Sequence, residues 1–326
     1  MVSKRLVIWQ SILFALLGIV LLYFSFRKTD FNALWQVIQQ GNHWVILPVF
    51  FVSVWVMVAR SLRWKILYKG ANVHVPFNVL FASLASGYLV NFVVPRLGEI
   101  TRALIVKRTL NVPVNTSLST ILFERITDLI CLAMLLALAF GFEFINHGTL
   151  LAHFTNGVNL LSGNKILLLF VFVLCFAAFY FWLKKRNDKI STWIKSLLET
   201  SIQLTQMKNK WQFVFHTSSI WIGFYLMTYL WFFMFEDAAQ LSAYDAFLIM
   251  ALGVVARTLP IQAGSAGAYH FVVSQALALL GINMLTGNAL AIVIHGFQTI
   301  LTLLFGFCAY LWLLYYNKQN AEKNIA

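Results

Sequence analysis

The chain has 326 residues, 60% of them hydrophobic and 11% charged, with a mean hydropathy of +0.78, whereas an average soluble domain carries roughly 25% charged residues. No soluble fold could bury that much apolar side chain, so the composition excludes a water-soluble protein and makes lipid the solvent. The formal net charge of +13 would point to nucleic acid in a soluble protein, but here its placement follows membrane topology and no nucleic-acid partner is expected.

A bilayer core near 30 Å thick needs about 20 apolar residues per helix. The first such run, Val7 to Phe26, follows Lys4 and Arg5 in the manner of a signal peptide, but no small-residue cleavage site follows it, and it reads as a retained helix. Trp44 to Arg60 is a second span. Phe77 to Arg108 is apolar but interrupted near its middle, and Leu118 to Phe140 is again a plain span. Ile166 to Leu183 precedes a basic link over residues 184–212, which reads as an amphipathic surface helix near anionic headgroups or as ordinary positive-inside charge. Phe213 to Phe235 is a fifth span. Ala243 to Leu280 is a second interrupted stretch, and Asn288 to Tyr316 closes the series as a span long enough to tilt. Cys131, Cys175 and Cys308 each sit alone in an apolar run, without ligand spacing, and read as packing residues.

With the N-terminus inside, seventeen basic residues fall in inner loops, three (Arg27, Lys28, Lys165) fall outside, and Arg96, Arg102, Arg125 and Arg257 lie at membrane depth, together the 24 present. The positive-inside rule then places both termini in the cytoplasm. Lys69 before the first interrupted stretch and Lys107 and Arg108 after it must share one face, so that stretch enters and returns. The second is flanked by Glu236 and Asp237 before it and an uncharged segment after it, and dips from the outside. The expected fold is an all-α membrane protein of about six transmembrane helices plus two re-entrant hairpins. Residues 1–140 and 164–316 read as two inverted repeat halves of a single membrane domain, the arrangement in which carriers hold substrate near the midplane.

The first interruption reads Pro95-Arg96-Leu97-Gly98-Glu99 and is followed by Arg102. A spacing of three puts Arg96, Glu99 and Arg102 on one face if the turn stays helical. Charges at membrane depth cost about 3 kcal/mol each and are commonly tied to a pathway, an internal Arg-Glu-Arg lock being the structural alternative. The next span carries Glu124, Arg125 and Asp128. Arg125 can reach Asp128 three residues on, which leaves Glu124 as an uncommitted carboxylate able to couple movement to a proton, or as the partner of Arg96 or Arg102. The second interruption, from Arg257 through Pro260, Gly264 and Gly267 to His270, is small, polar and flexible. Both return arms begin at glycines, and their N-termini would turn free amides and the positive dipole end inward, where an anion is favoured. The arginine fork suits phosphate. Close helix packing is the plain alternative for the small residues. His270 and His295 could relay a proton, though hydrogen-bonded packing ranks first. No pair has metal-ligand spacing, no cofactor motif occurs, and Ser265 lacks the nucleophile-elbow pattern.

Pro95-Arg96-Leu97-Gly98-Glu99 with Arg102, Glu124-Arg125 with Asp128, and the proline-to-glycine second break resemble the lysylphosphatidylglycerol synthase transmembrane region, the flippase-like domain family also called uncharacterised membrane protein family 0104. The likeness spans nearly the whole chain. It implies a flippase-like domain with re-entrant helices, which full synthases join to a soluble aminoacyl-transfer domain. This chain ends at Ala326, ten residues past its last span, so lipid aminoacylation is not expected. It also has Gly264-Ser265-Ala266-Gly267 where the family is denser in glycine.

The expectation is therefore a carrier, not an enzyme, of phospholipid or polyprenyl-linked lipid in a bacterial inner membrane. Arg96, Arg102, Arg125 and Arg257 would hold the headgroup between the hairpin tips, with Glu99, Glu124 and Asp128 as charge partners or proton carriers. The rival is a non-transporting membrane partner that presents lipid-linked substrate to a separate glycosyl- or aminoacyl-transferase. A partner transferase and a homodimer both stay open.

Overall fold

The computed structural model describes residues 16–27, 29–146, 199, 206–258 and 261–323. Every regular element among them is helical: α1 (Leu16–Phe26), α2 (Phe31–Gln40), α3 (Ile46–Gly70), α4 (Phe77–Val93), α5 (Leu97–Leu110), α6 (Val114–Asn146), α7 (Lys210–Phe232), α8 (Glu236–Ala239), α9 (Ala243–Thr258), α10 (Gln262–Leu279) and α11 (Met284–Lys323). Two segments, His43–Gly70 and Met284–Gln319, are long and apolar enough to cross a bilayer, and Leu16–Phe26 and Phe77–Val93 are shorter apolar helices. The expected span Ile166 to Leu183, most of the 184–212 link, the start of the first span and Pro260 lie outside the described residues.

Both interrupted stretches are helix–break–helix hairpins. α4 and α5 have 17 and 14 residues, about 25 and 21 Å at 1.5 Å per residue, each shorter than the roughly 30 Å hydrocarbon core. They run antiparallel, since Val79 and Leu80 of α4 share a core with Ala103 and Val106 of α5. Glycine makes this approach feasible: a Cβ on Gly98 would lie 2.1 Å from the Gly87 carbonyl oxygen. α9 and α10 have 16 and 18 residues and pair likewise, Gly253 facing Tyr269 and Val273.

α3 runs along α7, where Gly223 admits Val56. On one side α4 touches α3, α10 and α11, and α5 touches α6. On the other α9 touches α7 and α6, and α10 touches α11. The largest core lies among α3, α7, α9, α10 and α11, around Val49, Ile220, Trp231, Ile249, Val273 and Leu290. Leu129 and Leu138 of α6 and Ile300, Phe307 and Tyr315 of α11 face outward, an arrangement costly in water and free of penalty against lipid tails.

The expected end of the second span at Arg60 is too early. α3 continues to Gly70 because its only proline, Pro48, lies in the first turn, where a missing amide costs nothing, and no glycine interrupts it before Gly70. α2 was not anticipated. Asp30 caps it by accepting from the amides of Asn32 (2.8 Å) and Ala33 (3.2 Å). Leu34 is buried while Phe31 and Trp35 are exposed, as in a helix lying at a membrane interface.

Tyr68, fully buried, donates from its hydroxyl to Ser117 Oγ at 2.7 Å. Tyr68→Phe leaves that oxygen without its donor in a dry setting. It should cost about 1 kcal/mol, read as a lower melting temperature in detergent, with an unchanged melt counting against the assignment.

Candidate functional site

The tips of the two hairpins meet. Arg96, in the left-handed region at φ 67°, precedes the first turn of α5 and donates from Nη2 to the carbonyl of Thr258, the last residue of α9, at 3.2 Å. The expectation that Arg96, Glu99 and Arg102 share a helical face therefore fails at Arg96, because the chain is not helical there, and holds for Glu99 and Arg102. At the start of α5 the first two amides are already engaged, Leu97 N–H with the Val94 carbonyl (3.2 Å) and Gly98 N–H with Asn91 Oδ1 (2.6 Å). At the second break, Ala263 and Ser265 also have positive φ (52° and 63°), so the first turn of α10, which contains Gly264, is irregular. Gly267 packs against α1, where its Cβ would lie 2.1 Å from the Gly18 carbonyl oxygen.

Behind the first tip lies a network of four arginines and three carboxylates on α3, α5 and α6. Glu124, only 1% exposed, is its centre. Its Oε2 accepts from Arg102 Nη2 at 3.0 Å, and its Oε1 lies 3.2 Å from Arg63, 3.8 Å from Arg60 and 3.9 Å from Arg125. Asp128 receives both terminal nitrogens of Arg63, at 2.7 and 3.1 Å, and Arg60 at 3.3 Å. Arg125 pairs with Glu99 at 3.6 Å, and Asn91 Nδ2 donates to Glu99 at 3.4 Å. Arg102 also lies over the Trp64 ring at 4.0 Å, with the Trp64 indole donating to Thr120 at 3.0 Å. Such a network is costly to desolvate and becomes tolerable only when its members are paired.

Next to this network is a cavity of about 150 Å³. α3 contributes Ser53, Met57 and Arg60, α4 Tyr88, α9 Arg257, and α11 Gln298 and Thr302, with Phe224, Met227 and Phe305 among its apolar walls. Arg60 therefore joins the network to the cavity, and Arg257 enters from the other hairpin, its guanidinium 4.2 Å from the Tyr269 ring centre.

Of the four arginines expected together, Arg102 and Arg125 lie in the network, Arg96 at the tip contact, and Arg257 on the cavity. Arg125 is not the partner of Asp128, because Arg60 and Arg63 occupy that carboxylate. Nor is Glu124 uncommitted; it has the alternative partner expected for it, Arg102, and three further arginines besides. Arg60 and Arg63, which hydropathy counts among the seventeen inner-loop basic residues, belong instead to the network. Their signal was present in sequence, since Arg60, Arg63 and Trp64 follow the i, i+3, i+4 spacing of one helical face. Removing them from the inner loops leaves fifteen basic residues there against three outside, so the charge bias persists. His270 and His295 come together with rings 4.9 Å apart, both buried, and His270 Nδ1 lies against the Ala266 carbonyl.

The family model of the lysylphosphatidylglycerol synthase TM region matches residues 8–306. No curated protein and no solved structure matches the chain.

Proposed function

Because this chain belongs to the lysylphosphatidylglycerol synthase TM region family, a family of lipid-handling membrane domains, we propose that it is a carrier of anionic, phosphate-bearing lipid. The two hairpins are read as re-entrant, and the two halves as an inverted repeat. Exchange of α3 with α7, of α4–α5 with α9–α10 and of α6 with α11 supports that reading, since it maps each main packing contact within a half onto another. The headgroup binds in the cavity beside the touching tips, with its tails in lipid. Rocking of one half against the other then exposes it to each leaflet in turn.

One observation carries this reading: Arg60 and Arg257, from opposite halves, line the same amphipathic cavity. A cation at membrane depth is expensive unless it serves a pathway, and the guanidinium fork matches a phosphate. Arg257 makes no ion pair among the described residues, so its charge is available to a ligand. Arg60 and the carboxylates position the site, and rearrangement of their pairs accompanies movement.

The test uses reconstituted protein in vesicles containing a fluorescent-tailed phosphatidic acid, with transfer between leaflets followed by surface quenching. Arg257→Gln is expected to slow transfer about tenfold, the loss of about 1.4 kcal/mol of transition-state stabilisation, while melting as the wild type does. Equal rates in the two proteins would remove the site from the mechanism. Absence of transfer by the wild type, with a transferase stably co-purifying, would favour the presenting partner.

A further inference from the structure

We infer that the cavity selects a lipid whose headgroup is a bare phosphate monoester over diester, zwitterionic and amine-bearing headgroups. This rests on the carrier reading only in that a lipid must reach the cavity.

The first ground is charge. Arg60 and Arg257 line the cavity, and no Asp or Glu among the described residues does. The nearby carboxylates Glu99, Glu124 and Asp128 are each bridged to arginine. Four arginines against three carboxylates leave the network one positive charge in excess, and Arg257 adds a second. A phosphate monoester carries about −1.5 to −2 at neutral pH, which matches that surplus, whereas a diester carries one negative charge and an amine-bearing headgroup cancels it.

The second ground is that an ammonium group would find no counter-charge here. The hydroxyls of Ser53 and Thr302 and the Gln298 amide oxygen can accept from it, but a positive charge at this depth is stabilised by a carboxylate or open aromatic faces. Tyr88 and Phe224 are already faced by the Arg60 guanidinium, 5.7 and 5.8 Å from their ring centres. Phe305 is stacked on Phe50, with ring centres 6.4 Å apart.

The third ground is unmet hydrogen bonding. Tyr88 Oη and Arg60 Nε are buried and have no hydrogen-bond partner among the described residues. Both can donate, and buried donors are normally satisfied. The three terminal oxygens of a monoester supply acceptors to these groups and to the Arg257 fork together. Size agrees: a cavity of about 150 Å³ has room for a phosphate group.

The experiment measures binding and movement separately, with full-length protein. Binding in detergent is followed by native mass spectrometry for five probes: short-chain phosphatidic acid, a short polyprenyl phosphate, phosphatidylglycerol, phosphatidylcholine and lysylphosphatidylglycerol. Leaflet transfer of the same five is then measured in vesicles. At least one monoester should bind about tenfold tighter than the other three classes, and comparison of the two monoesters tells a glycerolipid from a polyprenyl source. Arg257→Gln should abolish the preference, and Arg257→Lys should keep part of it. Equal binding across the panel, no binding at all, or an unchanged preference in Arg257→Gln overturns the inference. A binding preference without movement of any lipid upholds the inference and sinks the carrier reading. Movement of all five at one rate, with equal binding, does the reverse.

Discussion

Glu124→Ala is expected to destabilise this protein by about 3–5 kcal/mol, the usual cost of removing one partner from a buried ion network. Glu124 is the only carboxylate in contact with all four arginines of the network, and Arg63 and Arg102 beside it are 0% and 2% exposed. Without it Arg102 keeps only the Trp64 face, and the ionic tie between α5 and α6 is reduced to the half-exposed Glu99–Arg125 pair. The variant should accumulate poorly in the membrane and melt well below wild type in detergent. Glu124→Gln retains an acceptor for Arg102 Nη2 but not the charge, so it should fall between the two and separate hydrogen bonding from Coulomb attraction. Asp128→Asn should be milder, because Asp128 is 17% exposed and its arginines keep Glu124. If Glu124→Ala melts with the wild type, the network is not what holds the first hairpin to its neighbours.

Gly98→Ala carries the second large effect. The added methyl would sit 2.1 Å from the Gly87 carbonyl oxygen and 2.6 Å from Asn91 Cγ. The first is main chain and cannot rotate away, so the arms must separate. That also stretches the 2.6 Å bond from Gly98 N–H to Asn91, and overpacking of this kind costs about 3 kcal/mol. A control lies in α11: a Cβ at Gly296 meets nothing within 4 Å among the described residues, and alanine is the better helix former by about 1 kcal/mol. Gly296→Ala should therefore melt at or above wild type. Equal melting of Gly98→Ala and Gly296→Ala would disprove the close approach of the hairpin arms.

Much of the architecture was legible because its determinants are local. Pro95 lies in the first break, between Val93 and Leu97, with Gly98 just past it as the second residue of α5, and the second break falls between Thr258 and Gln262 within the stretch marked by its proline and glycines. The apolar runs of α6, α7 and α11 are each helical: α6 and α11 continue past both ends of the expected run, as helices do until a cap or turn stops them, whereas α7 begins at Lys210 and stops at Phe232, short of Phe235. α2 escaped because ten residues are too few for a span, although Asp30 before an amphipathic run is an N-cap signal.

The candidate site was legible in membership and not in pairing. Glu99, Arg102, Glu124, Arg125 and Asp128 stand out as charges in apolar runs, and the structure brings all five together. Which of them touch is decided by ion pairs spanning 22 to 68 residues of sequence, such as Arg102 to Glu124 and Arg60 to Asp128.

From sequence alone come the membrane setting, the helical class, the two broken stretches and the family, all consequences of composition, run length and short motifs. The tertiary structure decided that Arg60 and Arg63 leave the loop charges for the network, that Gly267 serves the crossing with α1, and that Arg60 and Arg257 share a cavity. The physical reason is that charge pairing and close packing depend on distance through space between separate helices, whereas hydropathy and helix breaking act along the chain.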